Sequence, residues 1–125
     1  MHKDINNLSA SALAFVGDAV FTLFVRQFLA LQYDKKGGGL HALQSKFVSA
    51  KAQSKMSDQL YDKLSQQEQD IFNRCRNAHV DNKTKAATFK EYKKATGLEG
   101  LFGSLYLNGQ NQRLQELCEF VMTIV

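Results

Sequence analysis

Residues 15–21 read Phe15-Val16-Gly17-Asp18-Ala19-Val20-Phe21, an acid and a glycine set inside an otherwise apolar run. Around them Leu8, Leu13, Phe15, Val16, Val20, Leu23, Phe24 and Phe28 recur at steps of three and four residues, the period of one helix face. The spacing predicts a long helix from Ser9 to Gln32, capped by Ser9 or by Asn7. Proline is absent from the 125 residues, which favours uninterrupted helices over a turn-rich sheet protein. No alternating strand pattern of useful length occurs. The fold class is all-α.

The same reading extends along the chain. Tyr33-Asp34-Lys35-Lys36-Gly37-Gly38-Gly39 is a break, because consecutive glycines propagate a helix poorly. Leu40, Leu43, Phe47 and Val48 begin another helix, and Met56, Leu60, Tyr61 and Leu64 continue or follow it. Ser65-Gln66-Gln67-Glu68 matches a capping box and starts a helix over Gln66 to Ala78. His79 to Ala86 is a polar connector. Two last helices are expected over Ala87 to Leu107 and Gln110 to Ile124, with Asn108-Gly109 as the stop between them. A hydrophobic content of 44% with mixed charges suits one folded domain over 1–125, large enough to bury roughly two thirds of its unfolded surface. No apolar stretch approaches transmembrane length, and Met1-His2-Lys3-Asp4 lacks a signal-peptide core. Cys75 and Cys118 have no metal-like spacing. A reduced, cytoplasmic protein without membrane association is the expectation.

A carboxylate among large apolar groups is costly unless it is paired, hydrogen-bonded or bound to a metal. Asp18 is in such a setting, and Glu99 is in another, within Gly97-Leu98-Glu99-Gly100-Leu101-Phe102-Gly103. Two desolvated acids with similar surroundings point to one shared site. Ser11, Ala14 and Asp18 share a helix face; the small side chains leave room beside the acid, and Gly17 admits a neighbouring backbone or a ligand. Three glycines around Glu99, each costing about 1 kcal/mol in a helix relative to alanine, indicate a packing or an access requirement. Two carboxylates at a small-residue crossing suit magnesium, which takes few protein ligands and keeps several waters. The plainer alternative is that Asp18 caps a helix break, that Glu99 makes a surface ion pair and that the glycines serve tight packing.

Charge adds a second clue. From Arg74 to Lys94 seven basic residues stand against two acids, a local +5 in a chain whose net charge is +4. The excess is therefore concentrated, either as a solvated helix face or as a surface for an anionic partner. Lys83-Thr84-Lys85 falls in the expected connector, where ammonium groups can follow a phosphate backbone.

These residues resemble the ribonuclease III family. Val16-Gly17-Asp18-Ala19-Val20 is similar to the core of its first signature. Leu40-His41-Ala42-Leu43-Gln44-Ser45-Lys46-Phe47-Val48-Ser49 resembles its second block, L-x-x-L-x-S-x-x-V-S. Glu99-Gly100-Leu101-Phe102-Gly103-Ser104-Leu105-Tyr106-Leu107 resembles the third, E-A-x-x-G-A-x-Y-L. Order and spacing also agree over nearly the whole chain. The run from Phe47 to Gln53, the Arg76-Asn77-Ala78 triplet and the lack of an appended double-stranded-RNA-binding domain resemble the mini-ribonuclease III branch. Ser11, Ala14 and Thr96 stand where most of the family carries further acids, and the reduced pair Asp18 and Glu99 is again like that branch.

The resemblance implies hydrolysis of phosphodiester bonds in double-stranded RNA. It makes Asp18 and Glu99 the catalytic, metal-holding pair for Mg2+, with Mn2+ able to substitute. Arg76, Lys83 and Lys85 would hold the RNA backbone. It further implies a homodimer, a precursor 23S ribosomal RNA substrate and a ribosomal-protein stimulator. The apolar first helix could supply the dimer interface or the monomer core. A non-catalytic RNA-binding protein on the same fold explains the basic window but leaves the two acids without a purpose; a helical interaction adaptor explains neither. His2, His41 and His79 are too scattered for a ligand set, and Ser49 lacks a nucleophile context. Phe89, Tyr92, Phe102 and Tyr106 fall at core spacing. Cys75, beside Arg74 and Arg76, is placed for a lowered thiol pKa.

Overall fold

The computed structural model describes residues 4–33, 38–78 and 88–124. They form six helices: α1 (Ala10–Tyr33), α2 (Gly38–Val48), α3 (Ala50–Leu60), α4 (Gln66–Asn77), α5 (Phe89–Leu107) and α6 (Asn111–Met122), with 3-10 turns at Ile5–Asn7 and Tyr61–Lys63. No strand occurs among the described residues.

Local chemistry explains most of the boundaries. Ser9 caps α1: its Oγ accepts the Ala12 N–H at 3.0 Å. The helix α2 starts inside the glycine run, two residues before the first periodic apolar residue; glycines have no side chain with which to register a buried face. At Ser49 the backbone turns extended (φ −65°, ψ 154°) and its Oγ accepts from Ala52 N. This corner separates α2 from α3, so the residues after Val48 form a second helix. The Ser65 capping box is complete, Ser65 N donating to Glu68 Oε1 at 2.8 Å and Glu68 N to Ser65 Oγ at 3.2 Å. A second box, Thr88 with Glu91, opens α5, so the helix begins at Phe89, two residues later than expected at Ala87. Gly109, at φ +72°, makes the left-handed turn into α6.

Helix α5 is the axis of the molecule. Ala95, Gly97, Leu98 and every residue from Gly100 to Leu105 are buried, because α1, α3, α4 and α6 pack around it. A stretch covered by neighbours on most sides must be apolar on most sides, as Leu98, Leu101, Phe102 and Leu105 make this one. The glycines let its neighbours come close. A Cβ on Gly17 of α1 would lie 2.9 Å from Gly103 N and nearer still to the Glu99 carbonyl; Gly103 is blocked in turn by the Leu13 backbone. On the other flank Gly97 meets Phe72, and Gly100 meets the Cys75 side chain. The glycines around Glu99 are therefore filled by packing rather than left open for access. Phe21 of α1 and Phe102 of α5 close the core above this crossing, with ring centroids 5.8 Å apart.

One expectation fails here. The helix α1 is long and apolar enough, by length and composition, to cross a membrane. Its inner face, with Leu13, Val20, Phe21, Val25 and Leu29, belongs to the core instead.

Candidate active site

The crossing of α1 on α5 brings together the two acids singled out from sequence. Gly17, next to Asp18, packs directly on the backbone of Glu99. Asp18 is exposed and Glu99 is half-buried, so only one of the two is desolvated, contrary to the expectation for both. Asp18 nonetheless lies close enough for its carboxylate to interact directly with that of Glu99. Burial pushes the Glu99 carboxyl up to about 8; the negative charge of Asp18 adds to this, and a hydrogen bond from Gln53 opposes it. A half-buried carboxylate with a second acid beside it is also suited to share a cation with that acid.

Among the described residues no group of three or more His, Cys, Asp or Glu side chains converges. A bound ion would take Asp18 and Glu99 from the protein and fill its remaining positions with water and phosphate oxygen, a donor set that suits magnesium. The positions occupied by acids in most of the family add nothing here. Ser11 is exposed, Ala14 has no donor, and the Thr96 hydroxyl donates to the Tyr92 carbonyl of its own helix at 3.0 Å.

Gln53, on α3, was not singled out from the sequence. Its Nε2 donates to Glu99 Oε2 at 3.3 Å and to the Val48 carbonyl at 3.1 Å. A signal was present, since Gln53 precedes Met56 and Leu60 at helical spacing and so occupies a core position with a polar group. One turn further along α3, Ser57 Oγ lies against the Lys94 carbonyl of α5 at 3.2 Å. Ser57 lines a polar cavity of about 310 Å³ together with Asp58, Tyr61, Asp62, Arg76 and Lys94. Arg76, on α4, thus lines the cavity that opens beside Ser57, with its Nε donating to Asn77 Oδ1. Lys94 is held by Asp58 at 2.6 Å. Lys83 and Lys85 lie outside the described residues.

Two smaller expectations are corrected. Burial raises the Cys75 thiol above its ordinary value, and the opposing charge of Arg74 is the lesser effect. Phe102 is core, but Phe89 and Tyr106 are about half exposed, because they occupy the outer face of the two ends of α5.

Comparison with known proteins gives the family. The Ribonuclease III domain family matches residues 11–110, a span that includes both acids and Gln53. The chain is 38% identical over 123 residues to the mini-ribonuclease 3 of Thermoanaerobacter sp. (strain X514), covering 98% of this chain and 87% of that one. It is 35% identical to the mini-ribonuclease 3 of Staphylococcus aureus (strain NCTC 8325 / PS 47), covering 97% and 92%. The X-ray crystal structure of a Fusobacterium nucleatum protein superposes with a TM-score of 0.85 at 30% identity, over 98% of both chains. Sequence and fold together make this chain a member of the ribonuclease III family, an endoribonuclease of the mini-ribonuclease 3 type.

Proposed function

We propose that this endoribonuclease uses a divalent metal held by Asp18 and Glu99 to hydrolyse phosphodiester bonds in double-stranded RNA, through one catalytic domain over 1–125. The observation that carries the reading is the meeting of these two acids, remote in sequence, where Gly17 of α1 packs on the Glu99 backbone. Magnesium, or manganese in its place, would supply charge neutralisation at the scissile phosphate and a water of lowered pKa. Asp18, exposed to solvent, and Glu99, half-buried and hydrogen-bonded from α3, would hold the ion between them. A proton on Glu99 must leave as the ion binds, so the metal and the proton compete for that carboxylate.

The substrate reading rests on the family. Enzymes of the ribonuclease III family act on double-stranded RNA and are typically dimeric. A-form RNA is recognised through phosphates and 2′-hydroxyls, because its deep major groove hides the bases. Arg76, Lys83 and Lys85 supply phosphate contacts. A homodimer is supported by the outer face of α1, where Phe15 is 81% exposed and Leu23 63% exposed on the same side as Ala19. An apolar strip of this kind beside a catalytic acid marks an interface. The biological reading is a cytoplasmic enzyme that matures precursor 23S ribosomal RNA ends, with a ribosomal protein as stimulator.

The test is cleavage of a long RNA duplex with magnesium and with chelator. Asp18→Asn and Glu99→Gln should each lower the rate by at least about 100-fold while duplex binding in chelator persists. Cutting at the wild-type rate by either variant, or in chelator, would overturn the assignment. Binding without cutting, across magnesium, manganese and several duplexes, would favour a scaffold on the same fold.

A further inference from the structure

Gln53 is 2% exposed, and its Oε1 is buried without a hydrogen-bond partner. A buried carbonyl oxygen left unpaired is unfavourable, and native proteins keep few of them. A methionine would fill the same position beside Met56 and Leu60 with no stranded atom. The amide at this position therefore needs a reason other than packing. Its Nε2 supplies one, bridging the Val48 carbonyl and Glu99 Oε2. The Val48 carbonyl is itself held in place at the corner where Ser49 ends α2 and caps α3. The bridge thus joins a fixed backbone group of one helix pair to the carboxylate of another.

We propose that Gln53 is a positioning residue: it ties one Glu99 oxygen to the α2–α3 corner and so fixes the carboxylate orientation in which metal is bound. The assignment rests on the reading of Asp18 and Glu99 as the metal-holding pair. It also gives the Phe47–Gln53 stretch a role, since Val48, Ser49 and Gln53 together build the support.

Gln53→Met keeps the volume and removes the amide. Outer-shell partners of metal ligands commonly change metal affinity or activity by 10–100-fold. Manganese binding to the RNA-free protein, measured by calorimetry, should weaken by about 10-fold or more in Gln53→Met. The magnesium concentration giving half-maximal cleavage should rise by a similar factor, while duplex binding in chelator stays within about twofold. Adding Gln53→Met to Glu99→Gln should cost nothing further, because the two act through one carboxylate. Unchanged manganese affinity and an unchanged magnesium requirement in Gln53→Met would make Gln53 a core filler and overturn the proposal. A readout on the unmutated protein covers a variant that does not fold. The Gln53 side-chain amide resonance should move when magnesium is added to the wild type and stay still in Glu99→Gln; a resonance that never moves overturns the proposal. The two readings separate cleanly. Wild-type cutting by Glu99→Gln defeats the site, whereas an inactive Glu99→Gln beside a silent Gln53→Met defeats only the role of Gln53.

Discussion

Gly17→Ala is the sharpest test of how α1 and α5 meet. In an open helix this change is stabilising by about 1 kcal/mol, since alanine is the better helix former. Here the new Cβ would lie 2.5 Å from the Glu99 carbonyl carbon and 2.9 Å from Gly103 N, where ordinary contact begins at 3.4 Å. Both obstacles are backbone, so no side chain can swing away. The helices must part by about 1 Å, and a gap of that size forfeits a quarter to a half of each contact along the seam. Overpacking of this kind costs about 1–3 kcal/mol, and a backbone obstacle belongs at the upper end. The net expectation is a loss of about 2 kcal/mol or more after the gain in helix propensity. For a chain of this length that is a fall in Tm of about 8 °C or more. Thermal and urea unfolding, followed by circular dichroism, measure it. Cleavage should weaken too, because the shift falls on the Glu99 backbone. A Gly17→Ala protein as stable as the wild type, or more so, would refute the crossing as described.

Three other outcomes are expected. The Glu99 carboxyl, raised to about 8 in the fold, retains a proton between its ordinary value of 4.5 and about 8 while the unfolded chain has lost it. Metal-free stability is therefore fullest at the acid end of that window and declines as pH rises through about 8, by on the order of a few kcal/mol. Urea unfolding in chelator at pH 5.5 and 8.5 should show the decline in the wild type and a smaller one in Glu99→Gln; equal declines would count against it. Arg113 grips both oxygens of Glu68 at 2.9 Å and the Lys63 carbonyl besides, and it lowers the Glu68 pKa. Arg113→Leu strands a nearly buried acid and should cost about 3 kcal/mol at pH 7 by urea unfolding. Since the Glu68 contribution is present above pH 4.5 and lost below it, the deficit should shrink in acid; a loss under about 0.5 kcal/mol at pH 7 would show the pair to be ornamental. Replacing Lys83 and Lys85 together by alanine should weaken duplex binding and reduce its dependence on salt by up to two phosphate contacts, which an unchanged slope in a filter-binding titration would contradict.

The features legible in sequence were those with a period or a cap. Apolar spacing marks α1, the Ser65-Gln66-Gln67-Glu68 box marks the start of α4, and Asn108-Gly109 marks the end of α5. Thr88 and Glu91 carry a second box in the same spacing, which places the start of α5 at Phe89 rather than at Ala87. Asp18 and Glu99 stood out as acids in apolar runs, although the inference from those runs was half wrong. An acid between apolar neighbours along a helix still faces water if its own sector does, which is the case for Asp18. Gln53 was illegible for the opposite reason: its importance depends on what α5 places opposite it, and no local pattern carries that. The same holds for the glycines around Glu99, whose partners Phe72 and Cys75 come from α4.

The enclosure of α5 has a consequence in time rather than in space. This helix is the fifth of the six among the described residues, yet it is the one that α1, α3, α4 and α6 surround. A nascent chain carrying α1 to α4 holds their apolar faces without the element they were shaped to cover. Contacts between α1 and α5 close a long loop, and such contacts form late. Until then the growing chain exposes surface that invites misassociation, and Asp18 has no second carboxylate beside it. Synthesis therefore delays the assembly of the acid pair until α5 has been made and has packed against α1.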